Sequence, residues 1–215
     1  MAWATVFMVA AGTSVAAVPA AVASVYTGGP DSQCSNAYFE GNQLLGPQAL
    51  PDRGLIAPIV RGYKRLAGLS ESSFLAAYWD PTANNDAGGW RYPPDNGFLI
   101  VAGHPVEFPG LVLPGQKIDR FGSVYGSFLA PADTPYAERA LPPQSLDNFD
   151  ADFTCSYHLY LVLKPFKAET GPIAPGFGQP GRGQQYQVLG SLLPGDPAGA
   201  NVGWLISHGY LRSLN

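Results

Sequence analysis

Two arginines and a glutamine lie in short turns rich in Gly and Pro, where a rigid backbone can aim a polar side chain. They are Arg120 in Asp119–Gly122, Arg139 in Arg139–Pro143 and Gln185 in Gly181–Tyr186. An arginine guanidinium offers paired donors that match phosphate oxygens, and an amide can bond ribose hydroxyls or water. Taken singly, each arginine is more simply explained as a surface ion pair. Taken together, the three residues predict a site that holds a diphosphate and orients a ribose.

A glycine-rich segment over Gly176–Gly181 matches the GxGxxG fingerprint of dinucleotide-binding folds. That fingerprint requires a helix to open directly after the glycines, whereas here Pro180 and a strand-like run from Gln184 to Leu189 are found. The sequence also has no Walker loop, HExxH or GxSxG motif. We therefore expect neither a Rossmann site nor a serine-hydrolase or zinc-protease mechanism.

The residues that could bind a metal ion are scattered. The three histidines, His104, His158 and His208, do not form a zinc pattern. Three aspartates share one loop, but without the spacing of a calcium-binding loop: Asp147, Asp150 and Asp152. We predict a solvated acidic turn there and no metal site.

Composition sets the class of protein. The 215 residues carry a net charge of −4 with only 12 Lys and Arg, while Gly and Pro supply 26 and 21 positions. A nucleic-acid surface needs a concentrated basic face, so the sequence argues against one. The abundance of aliphatic and aromatic residues with low charge predicts a folded protein with many turns.

The first 23 residues carry no charge and are rich in Ala and Val. Trp3–Ala17 fits the apolar core of a signal peptide, and Ala21–Ala23 fits its cleavage site, although a basic start is missing. A membrane anchor is the alternative, which Gly12, Pro19 and the short run make weaker. We predict a secreted or cell-surface protein whose mature form is not held in a membrane.

The chain has two cysteines, Cys34 and Cys155. In an oxidising compartment an isolated pair is most simply a disulfide, here closing a loop of about 120 residues and worth on the order of 5 kcal/mol. The alternative is a catalytic thiol at Cys155 with His158 as its base. On a strand, positions 155 and 158 would point to opposite faces, which disfavours that alternative.

The elements that position these residues are short. Apolar residues at helical spacing predict a helix over Leu55–Leu66, and Ser70 can cap a second helix that carries Phe74, Tyr78 and Trp79. Strands are expected over 124–129, 156–163 and 184–189, the second of them buried on both faces, and an amphipathic helix over 202–211.

These elements predict an α+β fold, in which a small helical lobe accompanies a twisted mixed or antiparallel sheet. We divide the chain into a signal peptide (residues 1–23), an N-terminal helical lobe (24–89) and a catalytic domain (90–215).

Six colinear motifs in this chain resemble the TNT domain family, named after the tuberculosis necrotizing toxin. They run over about residues 90 to 211 and comprise Trp90–Phe98, Asp119–Gly122, Gly126–Pro131, Arg139–Pro143, Ile173–Gly181 and Gly183–Tyr186. The N-terminal part, with Leu45–Pro47 and Tyr78–Pro81, is similar to the secreted fungal branch of that family.

The resemblance implies specific roles. Arg120 and Arg139 correspond to the substrate-contacting arginines and Gln185 to the catalytic glutamine, while Phe121 and Phe128 are expected to line the nicotinamide pocket. The remaining expected substrate-binding residues are Gly122, Ser123 and Tyr186. The family fold is related to ADP-ribosyltransferases but lacks their catalytic Glu. This chain departs from the family with Arg182 in the glycine run, and it has no Asp or Glu after Trp204, so no calcium site is expected.

The family activity implies a secreted NAD+ glycohydrolase that releases nicotinamide and ADP-ribose, with NADP+ as a second candidate substrate. NAD is then the substrate, and no resident cofactor is expected. Neither nucleic acid nor membrane is an expected partner, and a homodimer is left open. An ADP-ribosyltransferase and a non-enzymatic secreted surface protein are the alternatives.

Overall fold

The computed structural model describes Met1 and residues 33–215. Apart from Met1, the predicted signal peptide over residues 1–23 lies outside the described residues. The α-helices are α1 Ala57–Val60, α2 Glu71–Tyr78, α3 Ala83–Asp86 and α4 Val202–Ser207. The strands are β1 Trp79–Asp80, β2 Gly89–Trp90, β3 Ile100–Val101, β4 His104–Pro105, β5 Phe108–Val112, β6 Lys117–Phe121, β7 Phe128–Pro131, β8 Tyr157–Val162, β9 Phe166–Pro172, β10 Gln184–Gln187 and β11 Leu211–Ser213. Short 3-10 helices span Phe39–Gly41, Gln43–Leu45, Asp95–Gly97, Tyr136–Glu138, Pro143–Leu146, Thr154–Ser156 and Gly190–Leu192.

A seven-stranded antiparallel sheet forms the centre of the protein, in the order β11-β8-β6-β7-β10-β9-β5. Two small hairpins, β1–β2 and β3–β4, lie outside it. β8 falls within the strand predicted over 156–163 and has a neighbour on each side, as expected for a segment that is buried on both faces. The predicted α+β class is confirmed, and the large sheet, expected to be mixed or antiparallel, is antiparallel.

Strand β7 joins the two halves of the sheet. Its residues Phe128 and Leu129 pair with β10, whereas Ala130 and Pro131 pair with β6. The strand predicted over 124–129 therefore starts later than expected, because the preceding residues form a turn closed by a hydrogen bond from Gly126 N to Ser123 O (3.2 Å). This turn and the split pairing of β7 create the opening that holds the candidate site.

The N-terminal segment is less helical than its apolar spacing predicts. The helix expected over 55–66 is reduced to α1, because Arg61 is extended and Gly62 adopts a φ of +78°, which ends the helix. The second helix is confirmed as α2, and the Ser70 side chain accepts a hydrogen bond from Ser73 N, the N-cap that the sequence indicated.

Two hydrophobic cores join the predicted N-terminal lobe to the rest of the chain. Ile56, Ile59 and Val60 pack with residues of β6 and β8. Phe74 of α2 packs with Phe177, which lies far along the sequence in the glycine-rich loop. A third core lies between the sheet and α4. The predicted lobe is therefore packed against the rest of the protein through common hydrophobic cores. Its boundary at residue 89 stays a prediction.

The predicted disulfide between Cys34 and Cys155 is present, with the two Cα atoms 5.2 Å apart and a separation of 121 in the sequence. It ties the start of the described chain to the segment that leads into β8. Because the sulfur of Cys155 is bonded to Cys34, the alternative of a catalytic thiol with His158 is excluded.

The C-terminal segment is part helix and part strand. The amphipathic helix predicted over 202–211 ends as α4 at Ser207, because Gly209 adopts a φ of +70°, and the chain then returns as β11 along β8. Within the described residues, no helix is long and apolar enough to cross a membrane.

Asp147 was predicted in a solvated acidic turn, but it is buried, and its carboxylate makes the stability of this fold depend on pH. Asp147 is 2 % exposed, and burial raises its pKa to about 6, while Gln43 and Arg65 limit that rise. Because the folded pKa lies above the unfolded value, the contribution of Asp147 to stability is complete below about pH 3.8 and is lost as the pH rises through about 6.

We therefore expect Asp147→Asn to remove this loss. As the pH rises from 4 to 7.5, the free energy of unfolding of the variant should increase relative to wild type by on the order of 1–2 kcal/mol, allowing for solvent screening. Urea unfolding at both pH values measures the difference, with the exposed Asp152→Asn as a matched control. The same pH dependence in wild type and Asp147→Asn would contradict the assignment.

Candidate active site

A cavity of about 600 Å³ opens where β6, β7 and β10 meet, a volume typical of small-molecule sites. It is lined by Tyr92, Pro93, Asn96, Gly97, Asp119, Arg120, Phe121, Gly122, Phe128, Leu129, Ala130, Arg139, Ala140, Leu141, Ser145, Ile173 and Gln185. The structure thus brings together Arg120 of β6, Gln185 of β10 and Arg139, which follows the 3-10 helix Tyr136–Glu138. Arg120 and Gln185 were predicted in turns, but both lie within strands.

Gln185 is held in one orientation at the wall of the cavity. It pairs with Gly171 of β9, and its side chain is only 7 % exposed. The amide Nε2 donates to the Asn96 carbonyl oxygen at 3.0 Å. Within the described part of the chain Oε1 makes no hydrogen bond, so this oxygen is available as an acceptor for a ligand.

Arg120 supplies the net positive charge of the cavity. Its Nε donates to Gly122 O (3.2 Å) and its Nη1 to Phe128 O (3.1 Å), so the guanidinium is fixed by neutral carbonyls. Among the described residues no carboxylate forms an ion pair with it, and Nη2 makes no hydrogen bond. Burial lowers the pKa of Arg120, yet an arginine stays charged at neutral pH. The arrangement favours an anionic ligand beside Nη2.

Arg139 is differently placed, because its charge is already neutralised. Its Nη1 and Nη2 donate to the two carboxylate oxygens of Asp119 at 2.6 and 2.9 Å, and its Nε donates to Thr134 O at 2.9 Å. The Tyr157 hydroxyl donates to the same carboxylate at 2.9 Å. Burial raises the pKa of Asp119, while Arg139 and Tyr157 oppose that rise.

The expected clamp of two free arginines is therefore corrected. Arg139 is 5 % exposed and Asp119 fully buried, so the pair forms a rigid part of the cavity wall. Three of the five guanidinium N–H groups of Arg139 are used within the protein, and two are left to donate to a ligand. Among the described residues that line the cavity, Arg120 is the arginine whose charge is not paired with a carboxylate.

The two phenylalanines expected to line a nicotinamide pocket both reach the cavity. Phe121 is 5 % exposed and packs edge-on against Tyr136, with the Arg139 guanidinium over its ring. Phe128 is 39 % exposed, so it presents a free aromatic surface to the opening. Gly122 also lines the cavity, at a φ of +96° that favours glycine.

Two expected substrate-binding residues lie elsewhere. Tyr186 follows Gln185 on β10, so it points to the opposite face of the sheet, where it packs on the core near α4. Ser123 lies outside the large cavity and lines a smaller one beside it. The first placement contradicts the prediction for Tyr186, because residues alternate along a strand.

His158 has a structural position. It lies opposite Arg120 in the β6–β8 ladder, is 4 % exposed and packs at a tilt against Phe153, with ring centres 4.1 Å apart. Burial, followed by the charge of Arg120, lowers its pKa. Residues 33–215 contain no group of three or more His, Cys, Asp or Glu side chains that could hold a metal ion.

Asp119 and Asn96 shape the site, although the sequence did not predict a role for either of them. Asp119 belongs to the Asp-Arg-Phe-Gly motif, but its pairing with Arg139 joins positions 20 apart and leaves no local signal in the sequence. Asn96 lies in a Pro-Pro-Asp-Asn-Gly turn with a φ of +56°. Asn and Gly in such a turn indicate a left-handed backbone. This was the available signal for the Asn96 carbonyl that holds Gln185.

Comparison with known proteins identifies relatives of this chain. The family model described as tuberculosis necrotizing toxin (TNT) matches residues 111–214. The conidial surface nicotinamide adenine dinucleotide glycohydrolase nadA of Aspergillus fumigatus is 40 % identical over 182 residues, covering 84 % of this chain and 73 % of that protein. This chain belongs to the TNT family. The solved structure of the tuberculosis necrotizing toxin complexed with its immunity factor IFT aligns at 22 % identity over 82 % of this chain and 79 % of that one, with a TM-score of 0.45.

The matched TNT region contains Arg120, Arg139 and Gln185. It begins within β5, so Tyr92 and Asn96, which also line the cavity, precede it. The alignment with the Aspergillus protein is longer than the TNT match. In this member of the TNT family, residues upstream of the matched region complete the wall of the candidate site.

Proposed function

We propose that this chain is an NAD+ glycohydrolase, which hydrolyses NAD+ to nicotinamide and ADP-ribose in the cavity between β6, β7 and β10. The observation that carries this proposal is the joint presence of a free arginine and an immobilised glutamine amide in one cavity. Membership of the TNT family and the activity named for the Aspergillus relative support the same reaction.

The chemistry of NAD+ matches what the cavity offers. Nicotinamide leaves as a neutral molecule from a cationic pyridinium, so its departure needs no general acid, and the transition state resembles an oxocarbenium ion. Among the described residues of the cavity wall, the only carboxylate is that of Asp119, which is bonded to Arg139 and Tyr157. The pair of catalytic acids found in ordinary glycosidases is therefore not required here.

Gln185 orients the reacting groups in this proposal. Its Oε1 accepts a hydrogen bond from a ribose hydroxyl or from the attacking water, while Nε2 remains on Asn96. Water adds to C1′ of the ribose as the bond to the nicotinamide nitrogen breaks. One proton is released from the water, and the products are nicotinamide and ADP-ribose. Phe128 and Phe121 provide the apolar surface for the nicotinamide ring.

Arg120 binds the diphosphate through Nη2, and Gly126 makes room for its guanidinium. A Cβ atom at position 126 would lie 2.7 Å from Cζ of Arg120, and the flexible end of the arginine is the part that must move. We therefore expect Gly126→Ala to raise KM for NAD+ by about 10-fold, like Arg120→Ala, since one charge-assisted hydrogen bond is lost.

Steady-state kinetics with thermal unfolding measures this effect, and Ser127→Ala, one position further along and outside the cavity lining, is the control. Wild-type KM in a folded Gly126→Ala protein would exclude Arg120 as the diphosphate ligand.

The proposal also covers the location of the protein, NADP+ as a second substrate and assembly as a homodimer. The conidial surface named for the relative supports the secreted or cell-surface placement predicted from residues 1–23. NADP+ as a second substrate and assembly as a homodimer stay predictions, which an NADP+ assay and sedimentation equilibrium test.

Hydrolysis is separated from ADP-ribosyl transfer by following the nucleotide. Purified protein is incubated with NAD+ that carries ³²P in the adenylate phosphate, alone and with a mixture of proteins as acceptors. A glycohydrolase leaves the label in free ADP-ribose in both cases. Label that becomes covalently attached to protein would indicate a transferase, and unchanged NAD+ would favour the non-enzymatic alternative.

A further inference from the structure

The peptide of Gly122 connects Arg120 to the segment that carries the disulfide. Gly122 lines the candidate site, and its N–H donates to the Ser156 carbonyl oxygen at 2.8 Å. Its own carbonyl oxygen accepts a hydrogen bond from Nε of Arg120 at 3.2 Å. Ser156 directly follows Cys155, which is bonded to Cys34. The position of the Arg120 guanidinium therefore depends on where the backbone at Ser156 is held.

The backbone at Cys155 and Ser156 adopts a conformation that needs support. Both residues lie in the left-handed region, with φ of +56° and +46°, and neither is a glycine. A side chain makes this region unfavourable, and such residues persist only where surrounding contacts fix the backbone. Without those contacts the two residues would relax, and the Ser156 carbonyl would turn away from Gly122.

Cys34 and Asn148 hold this turn. The disulfide bonds Cys34 to Cys155, and the Cys34 N–H donates to Oγ1 of Thr154 at 2.9 Å. Oδ1 of Asn148 accepts from Cys155 N at 2.6 Å, while its Nδ2 donates to Cys34 O at 2.9 Å. Because the two cysteines are separated by 121 in the sequence, the disulfide is the covalent link that keeps Cys34 in this network.

The disulfide lies in the interior, beside the wall of the candidate site. Cys34 is 4 % exposed and Cys155 is fully buried. Both belong to the hydrophobic core that contains Phe121, which lines the cavity. Thiol–disulfide exchange requires access of a thiolate to one of the sulfurs. The folded chain therefore keeps the redox state in which it folded.

We propose that the Cys34–Cys155 disulfide positions Arg120, so that the chain binds NAD+ at full affinity only after the two thiols have been oxidised. Oxidation passes two electrons and two protons from the thiols to the disulfide of an oxidant, which becomes a pair of thiols, and forms the S–S bond. A chain that folds in a reducing compartment keeps both thiols and binds NAD+ more weakly. This inference rests on the proposed function, which assigns the diphosphate to Arg120.

The test compares oxidised wild type with Cys34→Ser/Cys155→Ser at a temperature at which circular dichroism shows both to be folded. KM for NAD+ should rise by about 10-fold, as for Arg120→Ala, with kcat within about twofold of wild type. The calorimetric affinity for ADP-ribose, which carries the same diphosphate, should fall by a similar factor. In an Arg120→Ala background, loss of the cysteines should not raise KM further, because both changes act through one side chain.

A glycine at position 155 distinguishes positioning from general stabilisation. Glycine adopts positive φ without a steric penalty, so Cys34→Ser/Cys155→Gly should return KM to within about threefold of wild type although the disulfide is absent. Val162→Ala is the control for lost stability, since Val162 is buried at the far end of β8 and outside the cavity lining, and its KM should not change.

Asn148→Ala keeps the disulfide and removes two hydrogen bonds of the turn, so it tests the proposal even if the cysteine variants do not fold. KM should rise by about threefold or more. An unchanged KM in this variant would overturn the proposal. Wild-type KM in folded Cys34→Ser/Cys155→Ser would do the same, as would equal KM values for the serine and glycine variants or an effect that adds to that of Arg120→Ala.

Binding of ADP-ribose separates this proposal from the proposed function. A wild type that does not cleave NAD+ contradicts the function. A wild type that cleaves NAD+ but binds ADP-ribose no better than Cys34→Ser/Cys155→Ser does contradicts the positioning of Arg120 by the disulfide alone.

Discussion

Replacing Gln185 with Ala should lower the rate of NAD+ cleavage by about 10²- to 10³-fold in a protein that remains folded. The substitution removes an amide of the cavity that is held in place by the hydrogen bond from Nε2 to Asn96 O. The Gln185 oxygen is an oriented acceptor that bonds the ribose or the water in the transition state. Because of this, its loss should lower mainly kcat. Nicotinamide release is measured alongside circular dichroism.

Gln184→Ala is the matched control, because the neighbouring side chain lies on the other face of β10 and outside the cavity lining. Gln185→Glu is the sharper variant. It restores the acid of transferase enzymes, but it replaces the donor to Asn96 O with a second oxygen, so the side chain is repelled from its present position. We expect Gln185→Glu also to cleave NAD+ more slowly than wild type. If a folded Gln185→Ala protein cleaved NAD+ at a rate within about threefold of wild type, Gln185 would not be the catalytic residue.

Asp119→Ala should destabilise the protein by about 3–5 kcal/mol, the largest stability effect expected of a single substitution in the site. Arg139 is 5 % exposed and would keep its charge without a counter-ion, and the Tyr157 hydroxyl would lose its acceptor. A guanidinium cannot escape this cost by losing its proton at neutral pH. The free energy of unfolding in urea is the measurement.

Asp152→Ala removes an exposed carboxylate from a loop and serves as the control, with an expected change within about 0.5 kcal/mol. Wild-type stability in Asp119→Ala would show that the ion pair with Arg139 is not formed in solution. The same substitution should also reduce NAD+ cleavage at temperatures where the protein is folded, since Arg139 would no longer be fixed in the cavity wall.

Local signals made much of this molecule predictable from sequence. The cap at Ser70, the apolar run of β8 and the isolated cysteine pair each depend on neighbouring residues or on composition, and each is confirmed. The same motifs pointed to Arg120, Arg139 and Gln185, which all line one cavity, although Arg120 and Gln185 lie within strands and not in turns; their roles stay predictions.

What the sequence concealed depends on contacts between distant positions. Apolar spacing alone favoured a longer first helix, but the backbone at Gly62 ends it. The ion pair between Arg139 and Asp119 of β6 connects two separate motifs. The motif around Arg139 therefore indicated the arginine but not that its charge is paired. Tyr186 is different, since strand alternation already separates it from Gln185, and that rule could have been applied.

The mass balance of NAD+ cleavage by the purified protein tests the central claim most directly. NAD+, nicotinamide and ADP-ribose are quantified by chromatography over a time course, with Gln185→Ala measured in parallel. We predict that each mole of NAD+ lost yields one mole of nicotinamide and one of free ADP-ribose, and that the variant is slower by about 10² or more. Unchanged NAD+ in the presence of folded wild-type protein, or nicotinamide released without free ADP-ribose, would contradict the account.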